Sequence, residues 1–352
     1  MDALYSISVC GGLEKFACEE IQTRLNKTGN LKIVGQAPGR VLFRYSGDAK
    51  DVLSIRSAEH VFIVVRHLQN MTRSRHSLTE LRKSLGRVDF RPFFELCRKV
   101  GMRLHRRITF CVTSRMSGLR NYRRIDAQHV VEQALTTYGW HLTDEKPALD
   151  VWIEIQGDDA FVNIRISPLE MAQREYKQAH IPASLKPTVA YCLVQLSHPQ
   201  PTDVFLDAMC GAGTILIERA CSGRYRYLLG GDRSVEAIRA AQTNFGKKHR
   251  PRQLFRWDAR GLPLRQWSVD KIVCNLPFGE QIGSEGEIRV LYQQFLKECE
   301  RVLKPTGRMV LLTTQRSTLE NQLQRQQAFR VTQKFPIDLL GQSPWVYLCT
   351  PC

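Results

Sequence analysis

The chain has 352 residues, 43 % of them hydrophobic and 24 % charged, and a formal net charge of +17. Such a composition gives chain enough for two or three globular domains and excludes a disordered or low-complexity one. No apolar run reaches the roughly 20 residues of a membrane-spanning helix, and the start carries Asp2, Glu14, Glu19 and Glu20 where a secretory signal would be basic.

In chain order, residues 1–68 read strand, helix, strand, strand, helix, strand. Ala3–Val9 is apolar and β-branched, and Leu13–Leu25 has helical spacing. Leu31–Val34 and Val41–Tyr45 flank the turn Ala37-Pro38-Gly39, Ala49–Ala58 reads as a helix, and Val61–Val65 closes the set. That order predicts a small ferredoxin-like domain. Over residues 69–170, helices are expected at Leu78–Leu85, Pro92–Met102 and Asp126–Tyr138, the last capped by Asp126, with a strand at Arg107–Ser114. Leu149–Ile155 and Ala160–Ile166 form a hairpin around Gly157-Asp158-Asp159.

Residues 171–352 begin with a linker through Ile181-Pro182-Ala183-Ser184. Strands at Val204–Met209, Tyr227–Gly231, Leu254–Trp257, Lys271–Asn275 and Met309–Thr313 then alternate with helices at Thr214–Cys221, Val235–Lys248 and Ile288–Leu303. Alternation of this kind predicts an α/β, doubly wound, mostly parallel sheet. Lys304-Pro305-Thr306-Gly307 stops the last helix. Phe329–Phe335 and Trp345–Cys349 are expected to finish the sheet as an antiparallel pair with no crossover helix.

The positive charge is clustered. Arg66–Arg124 holds 16 Lys/Arg against Glu80, Asp89 and Glu95, a net of +13, and Arg224–Arg265 holds 11 against Asp232, Glu236 and Asp258, a net of +8. Clusters of one sign on a folded enzyme point to a polyanionic partner; no basic amphipathic helix suggests a membrane surface. The 11 cysteines are odd in number and scattered, and Cys10, Cys111, Cys192 and Cys274 lie in apolar runs. They fit a reducing cytoplasm better than a disulfide scaffold. Cys349-x-x-Cys352 lacks a second pair and the histidines show no ligand spacing, so no metal is expected.

Asp207-Ala208-Met209-Cys210-Gly211-Ala212-Gly213-Thr214 leaves a strand and opens a helix. Glycines there let backbone approach a ligand, and the helix N-terminus offers free N–H groups. Gly-x-Gly alone would suit a nicotinamide or flavin enzyme, but the third glycine of the dinucleotide fingerprint is missing, since Ile217 or nearby residues stand there. Asp207 would repel pyrophosphate and favours a ligand with a cationic end, such as S-adenosylmethionine. Asp232 ends the second strand, where it could take ribose hydroxyls or cap the next helix. Asp258, before Ala259, ends the third, where it could take an adenine amine. Asn275-Leu276-Pro277-Phe278 ends the fourth, a compact site for a planar group with an exocyclic amine. Carbon-5 methylation of a pyrimidine would need a nucleophilic cysteine, whereas Cys274 and Cys210 read as packing residues.

These residues, with Arg106–Arg115, the hairpin Leu149–Ile166 and Leu185-Lys186-Pro187-Thr188-Val189-Ala190, make the chain resemble THUMP-domain methyltransferases of the tRNA guanine-N2 class. The resemblance implies a ferredoxin-like domain (1–68), an α+β THUMP domain (69–170), and a linker with a seven-stranded Rossmann-fold, class I methyltransferase domain (171–352). It implies S-adenosylmethionine as cofactor, held by Asp207, Met209, Cys210, Gly211, Gly213, Thr214, Asp232, Arg233, Asp258, Ala259, Asn275, Pro187 and Thr188. Asn275, Leu276, Pro277 and Phe278 would be catalytic: the Asn275 side-chain oxygen and Leu276 carbonyl accept the guanine N2 hydrogens and Phe278 stacks on the base. The family motif Asn-Pro-Pro-Phe/Tyr-Gly has Leu276 in place of its first proline here.

RNA recognition would fall to Arg73, Arg75, Arg106, Arg107, Arg115, Arg120, Arg123 and Arg124 as phosphate contacts, with Tyr122 as a stacking residue. The expected substrate is tRNA, at the sixth nucleotide of the acceptor stem. Relatives acting on the tenth nucleotide or on ribosomal RNA share the motif, and an inactive RNA-binding protein is the other class of answer. Some eukaryotic relatives need a small zinc-containing activator subunit as partner.

Overall fold

The computed structural model describes residues 2–182, 184–277 and 285–352. They form two compact units. The first holds the residues up to Val9 together with Ala17–Leu169, and the second holds Cys10–Phe16 and Glu170–Cys352.

The first unit begins β1 (Ala3–Ser8), α1 (Glu14–Leu25), β2 (Leu31–Ala37), β3 (Arg40–Tyr45), α2 (Ala49–Val52) and β4 (His60–Leu68). The antiparallel order β4-β1-β3-β2 is that of a ferredoxin-like fold. α2 is shorter than the Ala49–Ala58 expected: Asp48 caps it, and beyond Val52 the chain tightens into successive three-residue turns. There follow α3 (His76–Leu85), α4 (Arg91–Lys99), β5 (Thr109–Met116), α5 (Arg124–Thr136), β6 (His141–Leu142), β7 (Leu149–Gln156) and β8 (Asp159–Arg165). β8 pairs with β4, so residues 1–68 and 69–170 contribute to one eight-stranded sheet, β2-β3-β1-β4-β8-β7-β5-β6. α5 starts two residues before the expected point. Asp126 stands in its first turn, not at its cap, and accepts from Arg123 N at 2.8 Å.

The second unit contains α6 (Glu170–Gln173), α7 (Pro187–Leu196), β9 (Val204–Asp207), α8 (Thr214–Cys221), β10 (Tyr227–Asp232), α9 (Val235–Phe245), β11 (Arg252–Arg256) and β12 (Val269–Asn275). It ends with α10 (Glu285–Val302), β13 (Leu303–Thr313), α11 (Arg316–Gln326), β14 (Phe329–Pro336) and β15 (Trp345–Pro351). The strand order is β11-β10-β9-β12-β13-β15-β14, all parallel but β15. This is the seven-stranded Rossmann-type sheet expected.

Alternation along the strands explains the two cores. Phe205, Val273, Val310 and Leu312 face α7, α8 and α9, whereas Leu206, Ile272, Cys274, Met309 and Leu311 face α10 and α11. A sheet apolar on both faces needs helices on both. One expectation fails here: a crossover helix, α11, does precede the last two strands. Its sequence is polar and buries only Leu319, Gln322 and Leu323, so no apolar stripe announced it. α9 stops at Phe245 rather than Lys248, because Gly246 takes a positive φ of 52°.

Candidate active site

The order of strands reverses between β9 and β12, the place where parallel sheets open a crevice beyond the carboxyl ends of their strands. A cavity of about 990 Å³ lies there. Its lining brings together Asp207, Met209, Cys210, Gly211, Thr214, Asp232, Arg233, Asp258, Ala259, Asn275, Leu276 and Pro277 from the residues expected. Gly213, Pro187 and Thr188 are not in that lining. Gly213 stands behind the loop, where a Cβ would come 3.2 Å from that of Ala241. Pro187 and Thr188 are buried in the first turn of α7. Phe278 lies outside the described residues.

β9 delivers Asp207 into the cavity wall, 1 % exposed, with its carboxylate accepting from Met209 N at 3.3 Å. Burial pushes this carboxyl up to about 7; hydrogen bonds from the Cys274 thiol and Met209 oppose the rise, and the Asp232 charge adds to it. The following loop turns against β10, with Cys210 N donating to Gly231 O at 2.9 Å and Gly211 N to Asp232 Oδ2 at 3.0 Å. Gly211 (φ 51°) and Gly213 (φ 80°) hold left-handed backbone that other residues adopt only under strain.

Asp232 also accepts from Ser234 N at 2.9 Å, and Ser234, not Asp232, caps α9. The aspartate therefore ties two loops at the cavity edge. Gly231 has no room for a side chain, since a Cβ would lie 2.0 Å from Trp257 Cε2. The space it leaves admits the indole, whose Nε1 donates to Ala208 O at 3.0 Å. Asp258 is held in a fork by Arg260, Nη2–Oδ2 2.6 Å, and this arginine holds its carboxyl below the usual carboxylate range.

At the end of β12 the turn is held from behind. Leu276 N donates to Leu312 O at 2.9 Å and its side chain is buried in the core. Tyr292, fully buried on α10, donates to Pro277 O at 3.1 Å and lies 2.7 Å from Thr313 Oγ1. Asn275 Oδ1 is buried with no hydrogen-bond partner among the described residues. A buried amide oxygen left without a donor is costly unless a ligand supplies one.

The cavity also has walls that residue patterns did not reveal. Ile181, Pro182 and Ser184, expected as plain linker, line it, as do Leu185, Ser234, Arg260 and the stretch Gly286–Leu291 at the start of α10. The only sequence signal for the linker residues was their place immediately before the Leu-Lys-Pro-Thr motif.

The arginines expected to meet RNA divide. Arg73, Arg106 and Arg107 are exposed and form no ion pair among the described residues. Arg75 and Arg123 are exposed beside Asp126, at 3.8 and 3.7 Å, and Arg115 lies over the Trp152 ring at 4.5 Å. Arg120 instead donates to the carbonyls of Met71, Thr72 and Gly157, and Arg124 to Ser114 O and Oγ at 3.0 Å. Arg120 is half-buried and serves the fold; Arg124 bonds back to β5 but remains exposed. Tyr122 is corrected: at 3 % exposure its ring is packed inside and presents no face to a base.

Residues 174–341 match the family model UPF0020, described as an RMKL-like methyltransferase domain. The chain is 35 % identical over 179 residues to the mouse tRNA (guanine(6)-N(2))-methyltransferase THUMP3, a match covering 47 % of this chain and 35 % of that protein. It is 30 % identical over 216 residues to the mouse U6 snRNA (guanine-N(2))-methyltransferase THUMPD2, covering 59 % of this chain and 39 % of that one. The matches thus span well under two thirds of these relatives' own length. Among solved structures, TrmN from Thermus thermophilus shares the fold over 99 % of both chains, with a TM-score of 0.83 at 23 % identity. Residues 174–341 are thus similar in sequence to a methyltransferase domain, and the chain shares the fold of TrmN along its length.

Proposed function

We propose that the protein transfers a methyl group from S-adenosylmethionine to the exocyclic N2 amine of a guanosine in RNA. tRNA is the substrate class and the sixth nucleotide of the acceptor stem the position we favour, giving N2-methylguanosine in the cytoplasm. In this reading residues 1–68 are the N-terminal ferredoxin-like domain, 69–170 the THUMP domain that docks RNA, and 171–352 the linker and catalytic domain. The observation that carries it is Asn275 Oδ1, buried and without a hydrogen-bond partner among the described residues, beside a cavity bordered by a glycine loop and three strand-end carboxylates.

The residues present suit the cofactor. Gly211, in left-handed backbone, borders the cavity with no side chain of its own, and Thr214 at the start of α8 lines the same space. Asp232 retains acceptor capacity for ribose hydroxyls, and Asp207 is an acidic wall for a cationic amino-acid end. When bound, S-adenosylmethionine supplies an electrophilic methyl group.

The rest falls to the chain's own groups. Asn275 Oδ1 and the Leu276 carbonyl accept the two hydrogens of guanine N2, which turns the nitrogen lone pair out of conjugation and towards the methyl carbon. Neither acceptor is a base, so the chain's own contribution to the rate would be orientation, and the proton released from N2 would pass to solvent water. Tyr292 fixes Pro277 O and so the aim of both acceptors. The base reaches this site only once unstacked, with Phe278 assigned to stack on it.

The test is purified protein with isotopically labelled S-adenosylmethionine and unmodified tRNA, followed by nucleoside mass spectrometry. Labelled N2-methylguanosine is expected, and mapping then locates it. Product only on U6-type or ribosomal RNA would replace the substrate, a reading to which the snRNA-named relative, at 30 % identity, points. Product only after adding a zinc-containing activator subunit would establish that partner. Cofactor binding without product on any RNA would favour an inactive RNA-binding protein.

A further inference from the structure

The described residues of the strap 174–186, namely 174–182 and 184–186, lie between α6 and α7 outside helix and strand, yet are pinned at several points. Tyr176 OH donates to Glu218 Oε1 at 2.8 Å, and Arg174 Nε stands 3.4 Å from the same oxygen of this fully buried carboxylate. Lys177 Nζ donates to Leu185 O at 2.8 Å, drawing the two ends of the strap together. Its middle is held by one side chain of α9. Asn244 Oδ1 accepts from Ala179 N at 2.8 Å, while its Nδ2 donates to Ala179 O and to Ala212 O, both at 3.0 Å.

Ala179 thus bonds to the amide of Asn244 as it would to a neighbouring strand, and the remaining donor reaches the glycine loop. Asn244 is 5 % exposed and spends its oxygen and both N–H groups on two backbone stretches that border one cavity. Ile181 follows on the strap, so close to Gly211 that a Cβ there would meet its Cδ1 at 3.3 Å. No strand or helix of the sheet depends on these three bonds.

We propose that Asn244 is a positioning residue for cofactor binding: it clamps the strap 174–186 to the glycine loop, so that Ile181, Pro182 and Ser184 form a wall of the S-adenosylmethionine cavity before the ligand arrives. This rests on the reading of that cavity given above. Loss of the clamp opens the strap in part of the molecules, and apparent affinity falls by the fraction that remains closed. Once cofactor is bound, the turn at Asn275–Pro277 is unaffected, because Leu312 and Tyr292 hold it independently.

The experiment compares wild type with Asn244→Ala and with Asn244→Asp, which keeps the acceptor but faces two carbonyls with none of the donors. Thr243→Ala is the control on the same helix, its hydroxyl donating to Arg239 O. Calorimetry with S-adenosylhomocysteine is expected to give a Kd raised about tenfold or more in both Asn244 variants and unchanged in the control. Hydrogen exchange is expected to quicken in peptides covering 174–186 and not across β9–β13. At saturating S-adenosylmethionine kcat should stay within about threefold of wild type. An unchanged Kd would overturn the clamp, and so would exchange quickened across the whole domain with kcat lost in step. Wild-type protein that fails to bind S-adenosylhomocysteine would refute the reading of the cavity itself, a result separate from the behaviour of the variants.

Discussion

The cavity of the second unit and the basic segment of the first were both read from residue types, and the structure treats them differently. In the cavity, Asp207, Gly211, Asp232 and Asn275 meet because each stands at the end of a strand or in the turn after it, so strand order alone brings them together. In the basic segment no such rule acts. Arg106 and Arg107 point to solvent, while Arg120 and Arg124, equally basic in sequence, bond backbone carbonyls. Charge is a property of composition, but its availability depends on where the backbone leaves an acceptor unpaired.

The sharpest way to break this comparison is at Asn275. Asn275→Ala should reduce methylation by roughly a thousandfold or more, since both orientation and amine activation depend on its oxygen, while S-adenosylhomocysteine binds within a few-fold of wild type. Single-turnover assay and calorimetry together check it; retained turnover would remove the functional assignment.

The next test divides the arginines. Arg106→Ala with Arg107→Ala should weaken RNA binding roughly tenfold or more and flatten the log–log salt dependence by about 1.5, with the melting temperature unchanged. Arg120→Ala should do the reverse. Met71 O, part-buried, loses its donor at about 1–3 kcal/mol, while the exposed carbonyls of Thr72 and Gly157 turn to water, so thermal unfolding shifts down while the salt slope holds. Equal effects of the two changes on RNA affinity would erase the distinction between docking and structural arginines.

A smaller effect is expected behind the catalytic turn. Tyr292→Phe removes only the hydroxyl that bridges Pro277 O and Thr313 Oγ1. Turnover should fall about tenfold, and cofactor Kd should not move. A matching change in Kd would mean that Tyr292 shapes the whole cavity rather than the aim of Asn275.

What could be read in the chain follows the same physics. The parallel sheet was legible because apolar alternation, glycine turns and helix stops act locally, and the ferredoxin-like order of β1 to β4 was legible for the same reason. α11 was missed because a helix covering a sheet at two leucines leaves almost no periodic trace. Residues Cys10–Phe16 join the second unit through distant partners, such as Gly11 O accepting from Asp338 N at 2.8 Å, which no local pattern encodes. The Ile181–Leu185 wall escaped for a like reason, as its place is set by Asn244, some 60 residues on. Trp257 read only as the end of a strand; its role as a brace under Ala208 needed the packing against Gly231.

The smallest effect expected is also the most specific to burial. Asp207 in the folded chain titrates near 7, far above its unfolded value, because desolvation disfavours its charge. Between about pH 4 and 7 the folded state therefore holds a proton that the unfolded chain has released. Stability from this group is full at low pH and is lost as pH rises through that window. Cofactor binding should run the other way. A cationic amino-acid end favours ionised Asp207, so affinity should rise several-fold from pH 6 to about 7.5, before the ligand's own amine begins to lose its charge. Asp207→Asn removes the titration, and both slopes should flatten together, read by thermal unfolding and calorimetry across the same buffers. If the affinity slope survived the substitution while the stability slope vanished, Asp207 would be a buried structural acid and the cationic end of the ligand would lie against another carboxylate, with Asp232 the nearest choice.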